Sequence, residues 1–285
     1  MCIRDRWLTD AFEPAFMQRS LVGSLIAVVA TSLVGTWVVL RGLAFLGDAL
    51  AHGVIPGIAL AVLWGFSPIL GALVAAAAMS ALVGVVSNRT GVREDTAIGL
   101  LFVGMLSLGV VIVSQARSFA VEVTALLFGD VLGVSTGDIR SQLLATAIVV
   151  ATTVLFYRPF LALTFNRDKA QTLGMRPRLA QTFLLALLAL SIVASFQAIG
   201  TLLVFGLLVG PPATASLMAR RVPVIMLTSV LLGAVAVVAG LLVSFHYGTA
   251  GSATIAGFSV AQFFLVLAVR ETREALRIRV GPVVA

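Results

Sequence analysis

The chain has one cysteine, one lysine and two histidines, and each shortage closes off a class of chemistry. A lone Cys2 forms neither an intrachain disulfide nor a cysteine metal cage. The only lysine, Lys169, follows Asp168, whereas a phosphate-binding P-loop needs a lysine behind a glycine in a Gly-rich turn. Any ATP must therefore be handled by another polypeptide. His52 and His246 stand far apart in the chain and cannot supply the H-E-x-x-H pattern of a zinc hydrolase. Charged residues make up only 11% of the 285, less than half the share usual for a soluble globular domain.

What is present in their place is apolar length. Hydrophobic residues account for 60% of the chain and the mean hydropathy is +1.12. Repeated runs reach the roughly 20 residues that an α-helix needs to cross the hydrocarbon core. The fold class is therefore all-α, a polytopic bundle of transmembrane helices. Spans are expected near 20–40, 44–64, 68–87, 96–114 and 139–157. A 36-residue apolar stretch at 182–217 is nearly twice one span and should turn back near 197–200. Two more spans are expected near 224–245 and 253–269. That makes about nine crossings, or eight if the first or a broken segment does not cross fully.

Residues 1–19 form a leader, 20–270 a single membrane domain and 271–285 a charged tail. The opening MCIRDR reads as an artefact of sequence assembly rather than a targeting segment, because no apolar core follows it directly.

The formal charge of +7 comes from arginine and does not signal nucleic acid. Most of the basic residues sit in short gaps between apolar runs, where they act as topology signals. If the loop at Asn88 is cytoplasmic, the same side receives Arg41, Arg89, Arg93, Arg158, Arg167, Lys169, Arg176 and Arg178. It also receives Arg220, Arg221, Arg270, Arg273, Arg277 and Arg279, leaving Arg4, Arg6, Arg19, Arg117 and Arg140 outside. The positive-inside rule then puts the C-terminus in the cytoplasm.

The chemistry concentrates in residues 40–61, LRGLAFLGDALAHGVIPGIALA. Asp48 and His52 are four apart, so on a helix they share a face and offer an oxygen and a nitrogen to one ligand. An ionisable side chain at membrane depth costs at least about 2.5 kcal/mol and normally faces a bundle interior or a pathway. The plainer alternative is a helix cap after Gly47 and an interior histidine. As metal ligands, the pair suits Zn²⁺, Mn²⁺ or Fe²⁺ better than Ca²⁺ or Mg²⁺. Two donors make a loose site, and two copies on a twofold axis would make a ring of four. Pro56 and the glycines at 42, 47, 53 and 57 should loosen or break the helix that carries the pair.

Glu122 and Asp130, with Asp138, make the irregular segment 115–138 acidic and could relay incoming cations. His246, at the outer end of the eighth span, is a further candidate ligand. Pro211 and Pro212 are expected to break the seventh span, or else to shape its packing. In the longest hydrophilic gap, residues 166–174 read as a short helix with an Asn or Asp start, Ala170 on one face and a Gly174 stop.

The sequence resembles the integral membrane permeases of ABC-type divalent metal importers, the ABC-3 family, over about 16–269. The resemblance rests on the 40–61 block, REDTAIG at 93–99, LLFGDVLGVS at 126–135, DKAQTLGM at 168–175 and LLVGPPATA at 207–215. It implies that Asp48 and His52 handle the metal. It also implies that Asn166, Asp168, Ala170 and Gly174 belong to a cytoplasmic coupling helix, with Asn166 where an acid is common.

The resemblance further implies a cytoplasmic ATPase dimer, an extracytoplasmic metal-binding protein and a second copy of the permease or a close paralogue. It implies the plasma membrane of a prokaryote, and a transported Zn, Mn or Fe ion in place of any permanent cofactor. An ion-coupled secondary transporter is the alternative, though no clear internal repeat supports it. An intramembrane aspartyl protease using Asp48 and Asp130 is a second. Its Gly-x-Gly-Asp pattern fails at Phe45 and Leu127.

Overall fold

The computed structural model describes residues 10–90, 93–114, 133–165 and 177–280. Among these residues, apart from 3₁₀ structure at Asp10–Phe12 and at Gly133, all regular structure is α-helical. The order is α1 (Ala15–Leu40), α2 (Ala44–Gly53), α3 (Ile55–Leu63), α4 (Pro68–Thr90), α5 (Glu94–Ser114) and α6 (Thr136–Leu155). Then come α7 (Tyr157–Phe165), α8 (Pro177–Ile199), α9 (Thr201–Met218), α10 (Val222–Tyr247) and α11 (Gly251–Val280). Among the described residues, eight segments are long and apolar enough to cross a membrane, α2 and α3 counting together as one, and the shorter apolar α9 adds another helix.

Helices α1 and α9 form the centre, with α10 and α11 packed on one side. On the other side α2 and α3 lie against α4 and α5, while α8 joins α1, α4, α6 and α7.

Close approach depends on small residues, because lipid tails supply no hydrophobic drive between helices. Helices α3 and α4 cross backbone to backbone at Gly57 and Gly71. A Cβ on either glycine would strike the carbonyl oxygen of the other. Gly35 of α1 fills the same role against Leu208 of α9. Pro212 has no N–H for the carbonyl of Leu208, four residues back. That oxygen instead lies where a side chain on residue 35 would be.

The two prolines therefore do not break the seventh span. Helix α9 runs unbroken through Pro211 and Pro212. Their rings pack towards Gly233 and Gly35, 3.5 Å and 3.0 Å from where a Cβ on those glycines would stand. The expected turn in the long apolar stretch falls at Gly200, whose φ of 79° is natural for glycine.

Two helices extend beyond what hydropathy indicates. Helix α7 occupies the start of the hydrophilic gap and is held by aromatic contacts rather than by its own apolar length. Trp37 of α1, fully buried, meets Tyr157 and Phe160 edge-on, each at 5.7 Å between ring centroids. Phe156 meets Phe183 of α8 at 4.6 Å. Helix α11 continues through the charged tail to Val280, supported there by an Arg270–Glu274 ion pair at 3.0 Å.

Asp138, grouped on sequence with the acidic segment, caps α6. It accepts from the Ser135 backbone N–H at 3.0 Å while the Ser135 hydroxyl accepts from the Asp138 N–H at 3.2 Å.

Gly35→Val should overpack the α1–α9 contact at a cost of roughly 1–3 kcal/mol. A lower thermal unfolding midpoint in detergent is the expected reading. Gly84→Ala, where an added Cβ meets nothing within 4 Å, should leave that midpoint unchanged or slightly raised.

Candidate functional site

Helix α2 presents three faces, and its glycines assign two of them to packing. At Gly47 the side-chain position is taken by Leu208 of α9, and at Gly53 by the Met79 sulfur of α4. With those faces pressed against neighbours, Phe45, Asp48 and His52 fall on the third, towards α5. His52 Nε2 lies 3.5 Å from Asp48 Oδ1, and the two side chains keep 27% and 30% of their surface exposed. They are thus neither sealed in the core nor on a fully open surface.

The helix breaks directly beyond this pair. Val54 closes α2 and opens α3, and Pro56 stands in the first turn of α3. Pro56 has no N–H to return to the His52 carbonyl four residues earlier, so the ladder is interrupted next to the imidazole. Gly109 of α5 fits against the break, with Ile55 Cγ2 and Pro56 Cδ 3.1 Å and 3.3 Å from where a Cβ would sit.

An open groove of about 440 Å³ begins at His52. Its other wall is one stripe of α5, Phe102, Leu106, Val110 and Val113, ending at Ser114. The His52 ring stands edge-on to Phe102 at 6.1 Å, and Phe102 meets Phe45 at 5.7 Å. The groove therefore follows α5 for about three turns from His52 to the end of the helix. Its walls are almost wholly apolar, and His52 is the ionisable group in its described lining.

Chemically, the pair offers one carboxylate and one imidazole to a cation. Among the described residues no group of three or more His, Cys, Asp or Glu side chains could close a metal cage. An ion held here keeps positions for water or for a second protein chain.

His246 is not brought to this pair. His246 sits at the end of α10, its Nδ1 2.9 Å from the Leu242 carbonyl and its ring against Phe245. Helix α10 packs on α1, α9 and α11 rather than on α2 or α5. Glu122 and Asp130 lie outside the described residues, as do Asn166, Asp168, Ala170 and Gly174.

Sequence reasoning missed Gly47 and Gly53 as packing positions and missed the α5 stripe altogether. The glycines were visible as helix looseners, but their partners on α9 and α4 were not. The stripe has helical spacing, yet in an all-apolar span that spacing does not separate a groove wall from a lipid-facing side.

The ABC 3 transport family matches residues 13–270. The chain belongs to that family. It is a membrane permease subunit of an ABC transporter and not an enzyme, with ATP hydrolysis on a separate chain. The family sets aside the secondary-transporter and aspartyl-protease alternatives. The manganese transport system membrane protein MntC of Halalkalibacterium halodurans is 34% identical over 85% of this chain and 82% of its own. The chelated iron transport system membrane protein YfeD of Yersinia pestis is 32% identical over 84% of this chain and 80% of its own. Among solved structures, PsaBC from Streptococcus pneumoniae in complex with Fab superposes with a TM-score of 0.82. It is 26% identical, covering 93% of this chain and 95% of that one.

Proposed function

We propose that this permease imports a divalent transition-metal ion, Mn, Fe or Zn, along the α5 groove and past Asp48 and His52. The observation that carries the reading is the partly buried carboxylate–imidazole pair at 3.5 Å, with His52 at the head of an apolar groove. The names of the relatives favour manganese and iron, and the mixed oxygen and nitrogen donors suit either, or zinc.

The open side of the groove faces a second copy of the permease or a close paralogue, whose own pair would complete the ion's coordination. The C-terminus is cytoplasmic in a prokaryotic plasma membrane, and an extracytoplasmic metal-binding protein delivers the ion. A pair of ABC ATPase chains docks at 166–174, with Asn166, Asp168, Ala170 and Gly174 in the contact.

The fold suggests how that docking reaches the ion. Residue 166 directly follows α7, and α7 is gripped by Trp37 one turn before α1 ends. The turn at Arg41 and Gly42 then leads into α2 and the pair. ATP-driven closure of the ATPase chains would shift α7, α1 and α2 together and change which side of the membrane the pair faces.

Uptake of radiolabelled manganese, iron and zinc, measured with the cognate ATPase and binding protein, tests the path. Asp48→Asn and His52→Ala, at matched membrane abundance and with the ATPase still assembled, should each lower uptake by about ten-fold or more. Normal uptake in both variants would overturn the path. Trp37→Leu should lower uptake while ATP hydrolysis by the assembled complex persists, because it loosens the link and leaves the ATP sites untouched.

A further inference from the structure

We infer that the outer surface between α4 and α8 is a binding site for one anionic phospholipid, apart from the metal path. The two helices enclose a groove of about 750 Å³, within the roughly 300–1,000 Å³ range of small-molecule sites. Its walls are apolar and small, with Leu73 and Ala77 from α4 facing Leu185 and Ala189 from α8. At one end the lining changes character to Arg89, Gln181 and Thr182.

The dimensions match one leaflet. From Leu73 to Arg89, α4 advances about 24 Å at 1.5 Å per residue. Half of a bilayer with its headgroup layer is about 20–22 Å. An acyl chain lying along the groove thus places its headgroup at Arg89 and its methyl end near Leu73.

The charge selects the headgroup. Among the described residues that line the groove, Arg89 is the one ionisable group. The groove between α9 and α11 differs in that a carboxylate, Glu274, stands in its lining beside Arg270 and Arg273. A phosphate with net negative charge complements Arg89, whereas a zwitterionic headgroup brings its own compensating cation. An arginine at the membrane surface favours anionic lipid by about 1 kcal/mol, which corresponds to about five-fold in occupancy.

The floor of the groove has space to spare. A Cβ on Gly84 would meet nothing within 4 Å, so a larger side chain there can displace a lipid without displacing the protein. That the lipid comes from the cytoplasmic leaflet rests on the orientation proposed above; its binding does not depend on the metal path.

The test uses the complete permease–ATPase complex in vesicles of phosphatidylcholine, alone or mixed with phosphatidylglycerol of the same acyl chains. A photo-crosslinking residue at Ala81 reports what occupies the groove. The expected result is about five-fold preferential labelling of phosphatidylglycerol, lost in Arg89→Gln, with labelling of both lipids reduced in Gly84→Leu. Equal labelling of the two lipids in the otherwise unmodified chain would overturn the proposal, as would an adduct with a second permease copy or with the ATPase. Metal uptake is read separately, so the lipid site and the metal path can fail independently.

Discussion

Nothing in a bilayer core hydrogen-bonds a stray peptide group, and most of this architecture follows from that constraint. Each crossing is helical because a helix satisfies its backbone within itself. Where the ladder is interrupted, the groups involved are turned towards protein. At Pro212, which offers no N–H to the carbonyl of Leu208, that carbonyl is covered by Gly35. At Pro56 the interruption is enclosed by Gly109 of α5 and lies directly behind His52. The second interruption coincides with the ionisable pair, so a break in the backbone ladder and two ionisable side chains occupy one place.

The same solvent explains why the close contacts are made of glycine and alanine. Large apolar side chains gain little by leaving lipid for another helix, whereas dispersion and backbone proximity grow as helices draw together. The Gly57–Gly71 crossing ties α3 to α4, and Gly35 ties α1 to α9. Gly47 and Gly53 do the same for α2 and so aim the Asp48–His52 face. The site owes its direction to residues that have no side chain of their own.

Much of this was legible in the sequence because a membrane span is a signal of length. The crossings, the turn at Gly200, the break near Pro56 and the shared face of Asp48 and His52 all follow from run length, helical spacing and the behaviour of glycine and proline. Structure was hidden from hydropathy where something else holds it. Helix α7 depends on Trp37, more than a hundred residues away, and α11 continues into water on charge pairing and helix propensity. Pro211 and Pro212 read as a break because no sequence rule announces that Gly35 will cover the loosened carbonyl. The α5 wall was invisible for the opposite reason, since every position on that span looks equally suited to lipid.

The apolar walls of the α5 groove bear on the ion's own hydration. A divalent cation moving beside Leu106, Val110 and Val113 finds no oxygen or nitrogen there to replace its water, so it travels with that shell largely intact. On the proposed path, Asp48 and His52 would then be the side chains that displace part of the shell. The exchange of water for protein is thereby confined to one level of the membrane. On that path the dehydration barrier and the residence time of the cargo would both be set by these two side chains and by whatever stands opposite them.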